Sequence, residues 1–324
     1  MSKARGLAAL GNAYSDGALS NRNLIINGEL IVNQRSNVSG GNVGNGTYTY
    51  DRWATVQTLA TNTSDGGGYQ NSPSIRMDAT ATASAQMALE QRIEGPANFD
   101  GLVVTVSAWV KSNSSNCRIN IYDSGWNGIK STAHTGGGAW EFLTATGTYS
   151  TNMTDLRVRI GLSDQGNTSI TNGDYFEFAQ CQLERGDTAT PFEHRSYGDE
   201  LQRCQRYYQI LMGKGHNYHA EAMWVVNSSG TDLSMAMMFP HEMRAAPTGT
   251  RVGGLANVSS GSVGVSSWAI YNSGVWKGCT DLSMANISPT SCRIDASPFN
   301  ACNVGGAAGL YGGEDCYWTL DAEL

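Results

Sequence analysis

Short stretches in which apolar and polar residues alternate run through most of this sequence. In one of them every second residue is apolar, and this set is Val104, Val106, Ala108 and Val110. The residues between them are Thr105, Ser107, Trp109 and Lys111. A period of two is typical of a strand with one buried face, so each such stretch predicts a β-strand.

About nine stretches of this kind precede residue 190, separated by turn residues and without a helical pattern between them. Strands in such a series favour two antiparallel sheets packed as a sandwich, of jelly-roll type. We therefore expect a mainly β protein whose first domain spans residues 23–189. A second series of strand patterns, blurred by frequent glycine, predicts a smaller β-domain over residues 214–324.

One stretch between the two β-rich regions has a helical pattern, TPFEHRSYGDELQRCQRYY. Pro191 ends the preceding strand, and Asp199 is placed to cap a helix of about 13 residues that begins at Glu200. Four residues recur at the spacing of a coiled-coil seam, namely Leu201, Cys204, Tyr208 and Leu211. So short a helix must bury that stripe. It either packs on its own sandwich or meets two further copies in a trimeric neck over residues 190–213.

Composition narrows the set of partners. The formal net charge is −7, only 15% of residues are charged, and no basic run occurs, which argues against nucleic acid and anionic membranes as ligands. No apolar run is long enough for a transmembrane helix.

The seven cysteines include no CxxC pair, so we expect free thiols. The alternative is a disulfide among the last four cysteines, which are Cys279, Cys292, Cys302 and Cys316.

The sequence contains no GxSxG, HExxH or GxxxxGK motif, so we expect a protein that binds its ligand without catalysis. Aromatic rings in turns stack on sugar rings while polar neighbours bind hydroxyls. The first candidate group for glycan binding is Tyr122, Asp123 and Trp126. The second is Trp268, Tyr271, Asn272 and Trp276. Core packing is the alternative for each of them, and we interpret the strand residues Trp53 and Trp109 as core.

Several segments resemble the tail-fibre and receptor-binding structural proteins of tailed bacteriophages. They are NLIINGELIVNQRS, YTYDRWATV, VSAWVKSN, QLERGDTATPFEHRSYGDELQRCQRYY, FPHEMRAAPTGT and LDAEL. The resemblance implies a homotrimeric virion appendage, assembled in the host cytoplasm, that attaches the particle to a bacterial surface glycan. It also implies that residues 1–22 dock on other phage tail or capsid proteins. The alternatives are a capsid fibre or tail-tip adaptor without its own receptor site, and a polysaccharide depolymerase.

The sandwich also resembles the carbohydrate-binding modules of some glycoside hydrolases, in which NLIINGEL and SAWVKS have counterparts. Such modules hold a structural calcium ion with an acidic pair. The candidates for that pair in this sequence are Glu29 and Asp174, and no other cofactor is expected.

Overall fold

The structure is a computed structural model. It describes residues 22–36, 43–57, 59, 61–125, 128–162, 168–211, 219–225, 231–255, 267–298, 301–304 and 306–324, with the backbone alone at 62 and 219–225. The segment predicted to anchor the chain, residues 1–22, lies outside the described residues except for Arg22.

The chain divides into two compact units. The first is Met1–Leu201 together with Leu324, and the second is Gln202–Glu323. Both are built from largely antiparallel sheets, and one α-helix occurs in the described part of the chain. The protein is therefore mainly β, as the alternating pattern predicted.

The described residues of the first unit form twelve strands and a 3-10 turn at Pro96–Phe99. The strands are β1 Ala54–Gln57, β2 Thr61–Asp65, β3 Ile75–Ala79, β4 Ala83–Ala85, β5 Met87–Ile93, β6 Val103–Ser112, β7 Cys117–Asp123, β8 Gly128–Lys130, β9 Trp140–Thr148, β10 Leu156–Leu162, β11 Thr168–Ile170 and β12 Tyr175–Arg185. They form a front sheet in the order β2-β3-β12-β6-β9, a back sheet in the order β1-β5-β10-β7-β8, and the small pair β11-β4.

Eight of these strands pair as a jelly roll. In chain order they are β3, β5, β6, β7, β8, β9, β10 and β12. The first pairs with the last, the second with the seventh, the third with the sixth and the fourth with the fifth. This nested pairing is that of one long hairpin rolled into two sheets, so the predicted jelly-roll topology is confirmed.

The core of the first unit lies between the front and back sheets. The predicted apolar side of β6 is fully buried there, and so is the matching side of β10, which carries Leu156, Val158, Ile160 and Leu162. Trp53 is also fully buried, and its indole N–H donates to the carbonyl of Asn27 at 3.1 Å. The prediction that Trp53 is a core residue is confirmed.

In the described ranges of the second unit there are ten strands, which are β13 Tyr208–Leu211, β14 His219–Val225, β15 Leu233–Met238, β16 Thr248–Val252, β17 Gly254–Leu255, β18 Ser267–Asn272, β19 Val275–Ala285, β20 Ser291–Pro298, β21 Ala307–Gly312 and β22 Tyr317–Asp321. One sheet has the order β13-β22-β16. The other has the order β14-β21-β18-β19-β20-β15, with β17 parallel to β18. The hydrophobic core of the second unit includes Trp268, Ile294, Leu310 and Trp318.

Helix α1 spans Tyr197–Gln205 and contains the boundary between the two units. It begins earlier than predicted, because Ser196 caps it. The Ser196 hydroxyl accepts from the Asp199 amide at 3.2 Å and donates to the Asp199 carboxylate at 2.7 Å, which is a reciprocal capping arrangement. The prediction that Asp199 is the capping residue was wrong.

The helix is also shorter than predicted, and the coiled-coil seam does not form. Tyr208 and Leu211 lie in β13, whose backbone pairs with β22. Cys204, Tyr208 and Leu211 are buried within the single chain, whereas Leu201 is half-buried. The prediction of a helical neck over residues 190–213 was therefore wrong. Of the four residues at heptad spacing, two lie in the helix and two lie in a strand. The two strand residues, Tyr208 and Leu211, pair with residues of β22 about a hundred positions further along the chain.

The seven cysteines are all buried and none is in a disulfide. In the part of the chain that the structure describes, no helix has the length and apolar character needed to cross a membrane.

Candidate functional site

The outer face of the front sheet changes character along β6 and β9. These strands pair antiparallel, which sets four cross-strand pairs on that face: Lys111 with Trp140, Trp109 with Phe142, Ser107 with Thr144, and Thr105 with Thr146. Pairs on one face of a sheet are close enough for their side chains to interact. The face is therefore aromatic at one end and rich in hydroxyl groups at the other.

Four aromatic side chains form a contiguous surface at the aromatic end, which we call the shelf: Tyr69, Trp109, Trp140 and Phe142. Tyr69 comes from the loop between β2 and β3 and stacks on Trp109 with ring centroids 4.4 Å apart and an angle of 28°. Tyr69 also lies 5.1 Å from Trp140, and Trp109 lies 5.2 Å from Phe142. Phe142 is 46% exposed, so the shelf faces solvent.

A segment that follows β12, residues 189–194, lies along the same face, and we call it the strap. It leaves the sheet after Gly186, whose φ of 110° suits glycine. Glu184 accepts from the amide of Thr190 at 2.8 Å and from its hydroxyl at 2.7 Å. The side chain of Gln182 accepts from the amide of Glu193 at 2.8 Å. The last residues of β12 thus hold the strap in place.

The shelf and the strap enclose a groove with a cavity volume of about 670 Å³. Its described lining is Gln70, Ser107, Trp109, Phe142, Gln180, Ala189, Thr190, Pro191, Phe192 and His194. Among these lining residues, His194 has the only titratable side chain. The groove offers ring faces, hydroxyls and amides, which suit a neutral polar ligand with apolar faces.

Gln180 reaches the groove because β12 contains a bulge. The register shifts between Ala179 and Gln182, and Gln180 adopts a φ of 52°. Bulges of this kind change the direction of a side chain. The Gln180 amide nitrogen donates to the hydroxyl of Ser72 at 2.9 Å, and that hydroxyl donates to Glu29 at 3.1 Å.

The same Glu29 oxygen is 2.9 Å from Nδ1 of His194 on the strap. Gln180, Ser72, Glu29 and His194 therefore form a continuous chain of hydrogen bonds from the sheet to the strap. Phe192 packs edge-on against the His194 ring at 5.0 Å. The strap, which forms one wall of the groove, is therefore hydrogen-bonded near both of its ends, at Thr190 and at His194.

Trp109 belongs to this surface, although it was not among the predicted ligand-binding residues. Trp109 was interpreted as core, and that interpretation was wrong, because its ring is only half-buried and lies on the shelf. The alternation along β6 already placed it on the polar side with Ser107 and Lys111. An aromatic residue on the polar face of an alternating strand is the signal that would have identified it.

The first predicted glycan group does not form an exposed site in the described residues. Tyr122 is fully buried, and the guanidinium carbon of Arg159 lies 5.0 Å from its ring centroid. Asp123 is buried too and accepts from the amide of Gly125 at 2.8 Å. The prediction that Tyr122 and Asp123 bind a glycan at the surface was therefore wrong. Trp126 lies outside the described residues.

The second predicted group is split between the two faces of β18. Trp268 is buried in the core and donates to the carbonyl of Val252 at 2.8 Å. Asn272 is buried on the same face and accepts from the amide of Asn303 at 2.8 Å. The prediction that Trp268 and Asn272 bind a glycan was wrong, because the alternation of side chains along β18 places both on the face that packs on the core. Tyr271 and Trp276 lie on the other face, with centroids 4.9 Å apart.

The two residues proposed for a calcium ion have separate hydrogen-bond partners. Glu29 bonds to Ser72 and His194 as described above, whereas Asp174 accepts from the amide of Thr171 at 2.8 Å. Within the described ranges, no group of three or more His, Cys, Asp or Glu side chains is placed to hold a metal ion.

Comparison with known proteins gives structural neighbours only, since no protein-family model and no curated protein matches the sequence. An enzymatically active domain of tailspike protein 4 from bacteriophage CBA120 aligns with a TM-score of 0.34 and 15% identity, over 51% of this chain and 22% of that chain. The chain thus spans less than a quarter of the tailspike structure.

Several structural neighbours are carbohydrate-binding modules. TmCBM61, solved with β-1,4-galactotriose, has a TM-score of 0.33 and 15% identity over 51% of this chain and 100% of its own. A tandem of two family 22 modules from Paenibacillus barcinonensis has a TM-score of 0.30 and 12% identity over 89% of this chain and 97% of its own. These similarities are low, and the function proposed below rests on the groove itself.

Proposed function

We propose that the first unit binds a glycan in the groove between the shelf and the strap. The observation that carries this proposal is the position of Trp109 and Phe142. They are aromatic rings on the solvent-facing side of a rigid sheet, next to hydroxyl and amide side chains. A buried aromatic cluster would serve packing alone, whereas this one leaves ring surface open to a ligand.

The groove suits a sugar on chemical grounds. The C–H faces of a pyranose stack on aromatic rings, and its hydroxyls bond to groups such as Ser107, Gln180 and Thr190. Because the lining of the groove contains no carboxylate among the described residues, an uncharged saccharide would bind there without covering an acidic group and removing its water. The strap is already bonded to the sheet, so little ordering entropy opposes binding.

The test is binding of the full chain to a printed array of bacterial polysaccharides, followed by calorimetry on the best ligand. Trp109→Ala should weaken binding at least about 10-fold, the equivalent of 1.4 kcal/mol. Leu102→Ala removes an exposed apolar side chain that is not part of the groove lining and should bind like the parent. Equal affinity of the parent and Trp109→Ala would refute the proposal.

A finer proposal is that the chain is a virion appendage that attaches a phage particle to a bacterial surface. It is supported by the resemblance of the segments NLIINGELIVNQRS and QLERGDTATPFEHRSYGDELQRCQRYY to phage tail-fibre proteins. Weak sugar sites would suffice in such a particle, because simultaneous engagement raises avidity roughly 10²- to 10⁴-fold over a single site. A homotrimer is part of this proposal but no longer has a helical seam to support it.

Two measurements test the attachment proposal. Light scattering of the purified chain should give the mass of three copies, and the protein should compete with phage particles for adsorption to host cells. A single-chain mass together with failure to compete would leave a carbohydrate-binding subunit without an attachment role.

We propose further that binding proceeds without cleavage. Incubation with the best polysaccharide from the array should release no new reducing ends. Their appearance, and their loss in a variant with one acidic residue neutralised, would instead identify a depolymerase.

A further inference from the structure

Three aromatic side chains of the second unit lie together on one face of its larger sheet. Tyr271 and Trp276 are directly opposite each other on β18 and β19. Tyr311 comes from β21 on the other side of β18, and its ring lies 4.9 Å from Trp276 at an angle of 80°. It lies 6.1 Å from the ring of Tyr271. We call these three residues the triad.

The triad is separate from the core of the second unit. The side chains of Trp268, Ile270 and Asn272 point to the opposite face of β18, where they are buried. Beneath the triad lies Ala269, which is fully covered and packs against Trp276 and Tyr311. The rings therefore form a small apolar cluster of their own on the outside of the sheet.

Small, uncharged residues also lie next to the triad on these strands. Gly309 is opposite Tyr271, and both Gly278 and Tyr311 are opposite Ala269. Rings that stand next to positions without bulky side chains leave room for a flat ligand. Tyr271 is 37% exposed, so part of its surface is open to such a ligand.

We infer that the triad is a second glycan-binding site, which stacks an uncharged saccharide unit on the rings of Tyr271 and Trp276. Its size favours a sugar over a protein partner. Three neighbouring strands cover about 10 Å between the outer two, the width of one or two sugar rings. A stable protein interface needs about 800 Å² from each partner.

This second site does not depend on the groove of the first unit. It would give one chain two points of attachment to the same polysaccharide, so that binding at one raises the effective concentration at the other. Because each site is built on the strands of its own unit, the loss of one leaves the other in place.

The experiment uses the full chain on the array of bacterial polysaccharides. Tyr271→Ala should weaken binding about 10-fold in a chain that already carries Trp109→Ala, since that substitution weakens the groove and leaves the triad as the main source of the remaining affinity. Val304→Ala is the matched control, because Val304 is 60% exposed and lies outside the triad. Tyr271→Phe keeps the ring and should retain most of the binding. Circular dichroism would show that each variant is folded.

The outcomes separate this inference from the proposed function. If Trp109→Ala alone abolishes all binding, the groove is the sole site and the triad inference fails. If Trp109→Ala has no effect and Tyr271→Ala removes binding, the triad is a site and the groove proposal fails. If Tyr271→Ala leaves the array signal unchanged and instead reduces a multimeric mass in light scattering, the triad joins copies of the chain and the inference is overturned.

Discussion

The carboxylate of Glu184 accepts two hydrogen bonds from Thr190, one from its amide at 2.8 Å and one from its hydroxyl at 2.7 Å. Glu184 is buried near the end of β12, and Thr190 is one of the strap residues that line the groove. Hydrogen bonds to a charged group are about twice as strong as neutral ones. One acidic residue near the end of the central strand of the front sheet therefore helps to fix the position of the strap, which faces the shelf.

Glu184→Ala should loosen the strap and weaken saccharide binding several-fold. Removing the carboxylate leaves the amide of Thr190 without this acceptor, which should lower the free energy of unfolding by about 1–3 kcal/mol. Calorimetry and amide hydrogen exchange at Thr190 measure the two effects. Asp187→Ala is the matched control, because Asp187 is exposed and, among the described residues, accepts a hydrogen bond only from the hydroxyl of its neighbour Thr188. Unchanged exchange at Thr190 in Glu184→Ala would contradict this role.

Gly28 and Gly198 should respond in opposite directions to alanine. A Cβ at Gly28 would lie 2.1 Å from the carbonyl oxygen of Cys181, whereas a Cβ at Gly198 would meet nothing within 4 Å. Gly28→Ala should therefore lower the free energy of unfolding by about 1–3 kcal/mol or more. Gly198→Ala, in the first turn of α1, should raise it by about 0.4–1 kcal/mol. Urea unfolding measures both, and a loss of stability in each variant would contradict the prediction for Gly198.

The thiols should be unreactive in the folded protein. Burial raises the pKa of Cys117 to about 12 and that of Cys292 to about 11, and it raises the pKa of Cys181 as well. Because the thiolate is the reactive form, attack on Ellman's reagent at pH 8 should be slow until the chain unfolds. Seven thiols should then react in concentrated guanidinium. A lower number would reveal a disulfide.

Glu141 should contribute stability that is lost in acid. Burial raises the pKa of its carboxyl group, but hydrogen bonds from the hydroxyl and amide of Thr135, together with nearby His134, bring the pKa below its ordinary value. A folded-state pKa below the unfolded one stabilises the protein above the unfolded pKa, near 4.3, and that stability disappears as the pH falls through the folded value.

The thermal midpoint of Glu141→Gln should therefore lie below that of the parent at pH 7, and the difference should shrink as the pH falls toward 3. A difference that stays constant over this range would show that ionisation of Glu141 is not the cause.

The sequence predicts the fold well where local pattern decides it. The alternation in β6 identified both faces of the strand, and the series of strands without helices predicted the jelly roll. The neck was wrong because Tyr208 and Leu211 follow a helical spacing by chance, while pairing with the distant β22 fixes them in a strand. Local periodicity contains no information about such a partner.

The candidate site was predicted less well, for the same reason. Ser72, Glu29 and His194 meet in one chain of hydrogen bonds although they lie far apart in sequence. The bulge that turns Gln180 into the groove has no clear mark in the sequence. Trp109 could have been found, because its place among the polar residues of β6 was visible from the alternation alone.

The most direct test of the central claim uses the indole N–H signals of the eight tryptophans in a nitrogen–proton correlation spectrum. Trp53→Phe, Trp109→Phe and Trp140→Phe assign three of the signals, and the best polysaccharide fragment from the array is then added to the parent. We predict that the signals of Trp109 and Trp140 shift while that of buried Trp53 stays in place. Binding without a shift at Trp109 or Trp140 would show that the shelf is not where the glycan binds.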